Sequence, residues 1–203
     1  LEAIINEIQP EAAQIGKSTV PGSPMSWRWN ETPAYGIDAR TEIADLEVLV
    51  ITEAVPLTTY LESPQWLRTC KEHAWENGAG GNGAPTLLYT TWNHFDSDFR
   101  STLDLYEPQW EAMADFAAAN LPEAATVYIV PGHRLMMGLY DDIEAGIVPG
   151  VSDISAFFED TIHPNGLGSY AIALLHLAVL HHVDPRGLPY YVFVRTPEPS
   201  AAL

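Results

Sequence analysis

Asp160 stands three residues before His163 in the segment Asp160-Thr161-Ile162-His163-Pro164-Asn165-Gly166-Leu167-Gly168. A carboxylate and an imidazole at that spacing can meet across a short loop. The carboxylate then accepts the Nδ1 proton of the ring, which fixes the tautomer and leaves Nε2 as a base. Two of the three parts of a hydrolytic triad would thus lie within four residues. Pro164 and the Asn165-Gly166 pair suit a tight turn, and Asn165 suits the cap of a following helix. The competing reading of the same residues is structural, a helix-capping acid and a turn histidine.

Other chemistry-bearing patterns fail on spacing or context. Gly16-Lys17-Ser18-Thr19 resembles the tail of a phosphate-binding loop, but the glycine required five positions before Gly16 is Glu11. Gly78, Gly80 and Gly83 satisfy G-x-G-x-x-G, yet they follow a predicted helix and precede a predicted strand. The dinucleotide fingerprint needs the reverse order, so these glycines read as a flexible connector. The histidines are His73, His94, His133, His163, His176, His181 and His182, and no His-x-x-x-His pair with a glutamate occurs among them. Neither a metal site nor an organic cofactor is expected.

The elements that must position Asp160 and His163 follow from periodicity. Leu1, Ile4, Ile5 and Ile8 recur at helical spacing before Pro10, as in the end of an amphipathic helix. A short strand is predicted around 13–20, then Trp27 and Trp29 in an aromatic and polar loop that either lines a pocket or packs onto the body. A short helix is predicted over 37–44. The run 46–52 is β-branched and apolar on both faces, as a central parallel strand should be. A helix over 57–77, a strand over 86–91, a helix opened by Pro108 and reaching Asn120, a strand over 126–130 and a last helix over 166–183 complete the series. Such alternation predicts an α/β fold, a doubly wound parallel sheet in a flavodoxin-like three-layer α/β/α sandwich. The site then lies beyond the carboxyl ends of the strands, at Gly22, Glu53, Trp92 to His94 and Gly132 to Arg134, with Asp160 and His163 joining from a late loop.

Composition bounds the function. A chain of 203 residues with 47% hydrophobic content suits one domain, assigned to 1–195, with a Pro- and Ala-rich tail at 196–203 that is expected to be loose. A net charge of −18 repels phosphate backbones, so no nucleic-acid partner is expected. Cys70 stands alone, which excludes an internal disulfide. No apolar run approaches the roughly 20 residues of a membrane span. The chain starts at Leu1 within a predicted helix, so a segment in front of it is expected, and a soluble protein of either cytoplasm or periplasm fits.

Asp-x-x-His running into a final helix resembles the closing block of the SGNH (GDSL-like) hydrolases, a superfamily of esterases and lipases. Gly22-Ser23-Pro24-Met25-Ser26-Trp27, Asp38-Ala39-Arg40, Val50 to Leu57, Leu88 to Trp92, Asp160 to Gly168 and Gly187-Leu188-Pro189 resemble a bacterial subgroup over most of the chain. The resemblance implies an ester substrate and a Ser-His-Asp triad, with Asp160 and His163 as two members. It also implies that Gly22 is an oxyanion donor. Trp27, Trp29, Trp92 and Asn93 are candidates for the pocket wall. Glu53 stands where the family has an asparagine donor, a departure, because a carboxylate cannot donate to an oxyanion. The subgroup carries its nucleophile as Gly-His-Ser before the first helix. The serine is therefore expected upstream of Leu1, with Ser18 as the alternative. Ser18 precedes Gly22 too closely for the intervening βαβ unit, which takes roughly 30 residues. Ser152 and Ser155 fall on the wrong side of the sheet order. The rival functions are a non-catalytic relative binding a ligand in the same cleft and a metal-dependent enzyme using Glu53 with Asp and His residues.

Overall fold

The structure is a computed structural model and describes residues 1, 2, 4, 5, 14–18, 20, 22–33, 36–95, 98–119 and 126–188. Three apolar segments pair side by side as β1 (Leu49–Ile51), β2 (Thr86–Tyr89) and β3 (Val127–Val130), in that order and parallel. Leu49 lies opposite Thr86, and Thr86 opposite Val127. Parallel neighbours require long crossovers. Helix α3 (Ser63–Asn77) joins β1 to β2, and α4 (Phe99–Ala118) joins β2 to β3. The other helices are α1 (Met25–Asn30), α2 (Ala39–Glu42), α5 (Gly132–Glu144) and α6 (Gly166–His181). The chain is therefore of the α/β class.

Successive side chains of a strand point to opposite faces, and β2 is covered on both. Leu88 is fully buried in a cluster with Leu67 of α3 and Tyr106, Trp110, Met113 and Ala117 of α4. Tyr89 joins a second cluster with Trp92, Phe99, Met136 and Phe158, and its ring lies 4.7 Å from that of His176 on α6. Ile4 and Ile5 are buried against Ala173 and Leu177 of α6.

Several sequence expectations change. The run 46–52 is not apolar-packed on both faces: Val48 and Val50 remain 40% and 39% exposed, while Leu49 and Ile51 pack inward, and among the described strands it pairs with β2 alone. β-branched runs report what a strand could bury, and its position depends on partners far away in sequence. Helix α4 begins at Phe99, nine residues before Pro108, which lies inside it. The ring removes one helical hydrogen bond, but Phe99, Leu103, Tyr106, Trp110, Met113, Ala114 and Ala117 form one buried stripe that carries the helix through. Trp27 and Trp29 lie in helix α1 and not in a loop. Residues 132–144 are helical as α5, where no element was expected. The predicted strand over 13–20 is absent at 14–18, where Ser18 makes only a single bridge to Gly36. The strand's remaining residues, Ala13 and Thr19, fall outside the described residues, as do most of the first helix and the tail at 196–203.

Two buried histidines give the fold a pH dependence. Burial pushes the pKa of His133 down, partly offset by Glu107, and burial likewise pushes His176 down. Both are neutral in the folded chain, whereas unfolding lets them take up protons near 6.5. Their contribution to stability is complete above that value and is lost as pH falls through it. Acidification also relaxes the self-repulsion of a chain at −18, in the opposite direction. We therefore expect thermal melts of the native chain and of His133→Gln, taken between about pH 8 and 5.5, to diverge, the native chain losing more of its Tm. Parallel curves would refute the assignment of a neutral, titrating His133.

Candidate functional site

The segment carrying Asp160 and His163 leaves the core at Phe158 and returns to it at Ile162. The ring of Phe158 packs edge-on to Trp92 at 6.0 Å and tilted on Phe95 at 5.0 Å, centroid to centroid. Phe158 pairs with Pro164 in one antiparallel bridge, and the Glu159 amide donates to the His163 carbonyl at 2.8 Å. Residues 159–163 are thus closed into a loop in which Ile162 packs inward and Glu159, Asp160, Thr161 and His163 are exposed. Asn165 fastens the exit: its Oδ1 accepts from the Leu167 and Gly168 amides, capping α6, and its Nδ2 donates to the Ala156 carbonyl. Gly168 sits so close to the Phe157 carbonyl that a Cβ there would lie 2.2 Å from the oxygen.

Within this loop Asp160 Oδ2 meets His163 Nδ1 at 2.7 Å. Asp160 Oδ1 accepts from the His163 amide at 2.7 Å and the Ile162 amide at 2.8 Å. The His163 amide, then the His163 ring and the Ile162 amide, hold the carboxyl well below the usual carboxylate range. Asp160 is therefore an anion at neutral pH, and the proton between the two side chains belongs on Nδ1. Nε2 makes no hydrogen bond to any described residue, and the two side chains are 68% (His163) and 55% (Asp160) exposed. An oriented imidazole of this kind can take a proton from a hydroxyl and return it to a leaving group.

The other expected site residues are placed as follows. Glu53, 3% exposed, follows β1 and accepts from the Met25 amide at 2.9 Å and the Ala54 amide at 2.7 Å through Oε1. Its carboxylate thus holds the start of α1. Arg28 fastens the other side, donating to the Ser23 carbonyl at 2.7 Å and to the Thr52 carbonyl. Just before these ties Gly22 turns at φ 69° in an exposed position with open space where a Cβ would be. Trp92, 5% exposed, lies beneath the Asp160 loop and donates its indole N–H to the Ile162 carbonyl at 3.0 Å. Asn93 is half-buried beside it. Trp27 lines a narrow cleft with Ser18 and Arg28, and Trp29 packs edge-on against His73. No hydrogen bond joins a described serine to His163. Glu53, Trp92 and Asn93 follow the carboxyl ends of β1 and β2, Gly22 follows no described strand, and of the four only Trp92 is tied directly to the loop of Asp160.

Sequence reasoning missed the part played by His94 and Thr161, whose Nδ1 and Oγ1 lie 2.6 Å apart. The signal available was only a histidine two residues after Trp92. It also missed that His133 reaches Thr90 Oγ1 at 2.6 Å, an internal contact behind the carboxyl end of β2. Among the described residues no three His, Cys, Asp or Glu side chains gather as a metal site, and no helix is long and apolar enough to cross a membrane. The chain matches no family model, no curated protein and no solved structure.

The Glu53 geometry makes a prediction about stability. Glu53→Gln keeps a carbonyl oxygen to accept both amides, whereas Glu53→Leu leaves the buried Met25 and Ala54 N–H groups without an acceptor, at about 1–3 kcal/mol each. Chemical denaturation should show Gln losing only the charge that offsets the burial of Arg28, and Leu lower than Gln by several kcal/mol. Equal loss in both variants would mean that the negative charge, and not the accepting oxygen, is what α1 requires.

Proposed function

We propose that the protein is a serine ester hydrolase of the SGNH type, in which His163 is the general base and acid and Asp160 holds its ring. The observation that carries the reading is the 2.7 Å contact between Asp160 Oδ2 and His163 Nδ1, in a largely exposed pair whose loop is tied to Trp92 just past β2. In the reaction Nε2 takes the serine hydroxyl proton as the oxygen attacks the ester carbonyl, then returns it to the leaving alcohol. Asp160 stabilises the imidazolium formed between these steps. The exposed amide at Gly22 is the proposed oxyanion donor, held in its turn by Glu53 and Arg28. The substrate class is a small acyl or carbohydrate ester.

The serine is proposed to come from outside the described residues, since no described serine is bonded to His163. Leu88 and Tyr89 of β2 are packed on opposite faces of the sheet, which supports reading it as the middle layer of a three-layer sandwich. Ser18 is disfavoured because it sits in the cleft of Trp27 and Arg28, bridged to Gly36.

The rival reading, a non-catalytic protein binding a ligand in the same cleft, draws support from Glu53. Where the family has an oxyanion donor, this carboxylate is spent on two backbone amides.

Turnover of a short-chain aryl ester by the full-length polypeptide decides between them. The proposal expects hydrolysis that falls at least about 10³-fold in kcat/KM in His163→Ala and about 10⁴-fold in Asp160→Asn, together with covalent labelling by a fluorophosphonate. Hydrolysis surviving His163→Ala would refute the base, and an unlabelled, inert full-length protein would favour the binding role.

A further inference from the structure

Three hydrogen bonds join the segment after β2 to the loop of the proposed base. The Trp92 indole donates to the Ile162 carbonyl at 3.0 Å, the Phe95 amide donates to the Thr161 carbonyl at 2.8 Å, and His94 Nδ1 lies 2.6 Å from Thr161 Oγ1. The first two engage Ile162 and Thr161 from below, where Trp92 and Phe158 are buried. The third lies on the exposed surface and is the only one of the three made between two polar side chains. Thr161 and Ile162 are the two residues between Asp160 and His163, so whatever fixes them fixes the spacing of the pair.

Resting on the hydrolase reading, we infer that His94 is a positioning residue for that reaction, acting on His163 through the Thr161 hydroxyl, with Trp92 as the buried half of the same clamp. A ring that must present Nε2 to a hydroxyl has little tolerance for drift, since a misplacement of about 1 Å can cost on the order of 10²-fold in rate. The Asp160 carboxylate ties His163 to its own loop but says nothing about where that loop stands against the sheet. The 92–95 segment supplies that reference, because it continues directly from β2. The hydroxyl can donate to an unprotonated Nδ1 or accept from a protonated one. The clamp therefore survives protonation of His94, and His94 has no need to exchange protons with the substrate.

The test uses the full-length polypeptide and substitutions that keep or remove this one bond. His94→Ala and Thr161→Val should each lower kcat about tenfold with KM unchanged. His94→Asn, whose Nδ2 can occupy the place of Nδ1, and Thr161→Ser should restore most of the rate. The His94→Ala, Thr161→Val double variant should be no slower than either single one. Independently of turnover, amide hydrogen exchange at Ile162 and His163, whose N–H groups Asp160 accepts, should quicken in His94→Ala and not in His94→Asn. Additive losses in the double variant, or a His94→Asn variant as slow as His94→Ala, would overturn the inference and make His94 a group that acts on its own. Unchanged exchange in His94→Ala would overturn it as well. If the base assignment itself fails, His163→Ala keeps its activity, while the exchange comparison still reads the clamp.

Discussion

The carboxylate of Asp160 accepts three hydrogen bonds from residues no more than three positions ahead of it, two from backbone amides and one from an imidazole. The amides close the turn and fix the carboxylate, so the remaining oxygen has a set direction in which to hold the His163 ring. Because the pair is largely exposed, its attraction adds little to the stability of the fold. Its consequence is orientation. A carboxylate held in its charged form by local amides accepts the proton on Nδ1, which leaves Nε2 as the ring nitrogen turned away from the pair.

The rest of the molecule can be understood as the support for that small motif. The parallel sheet brings Glu53, Trp92 and Gly132 to one edge because β1, β2 and β3 run the same way. The aromatic cluster of Trp92, Phe95, Phe99 and Phe158 buries the roots of the Asp160 loop, and Asn165 caps α6 at the point where the loop ends. A second anchorage holds the Gly22 turn by a different means. Arg28 is buried at a cost to its charged form that Glu53 partly offsets, and each fastens a backbone group of the turn or of the helix that follows. Glu53 Oε1 is thereby engaged in holding backbone.

Local chemistry was legible in the sequence and long-range placement was not. The Asp-x-x-His spacing, the cap at Asn165 and the helix behind it all depend on contacts within a few residues, and the structure has Asn165 capping α6 as expected. The alternation of strands and helices was also readable, giving the α/β class and the parallel sheet. What failed were judgements that depend on partners far along the chain. The apolar run 46–52 reads alike whether one face or both are covered, and the start of α4 is set by a buried stripe that overrides Pro108. His94 was named among the residues past the strand ends, but its contact was unreadable for the same reason, since Thr161 lies 67 residues away.

The most direct measurement of the central claim is the tautomer of the His163 ring, read by nitrogen NMR of the labelled polypeptide at a pH high enough for the ring to be neutral. The account predicts the proton on Nδ1, facing Asp160, and a shift toward the Nε2-H tautomer in Asp160→Asn. A neutral ring with its proton on Nε2 in the native chain, or one indifferent to Asp160→Asn, would contradict it.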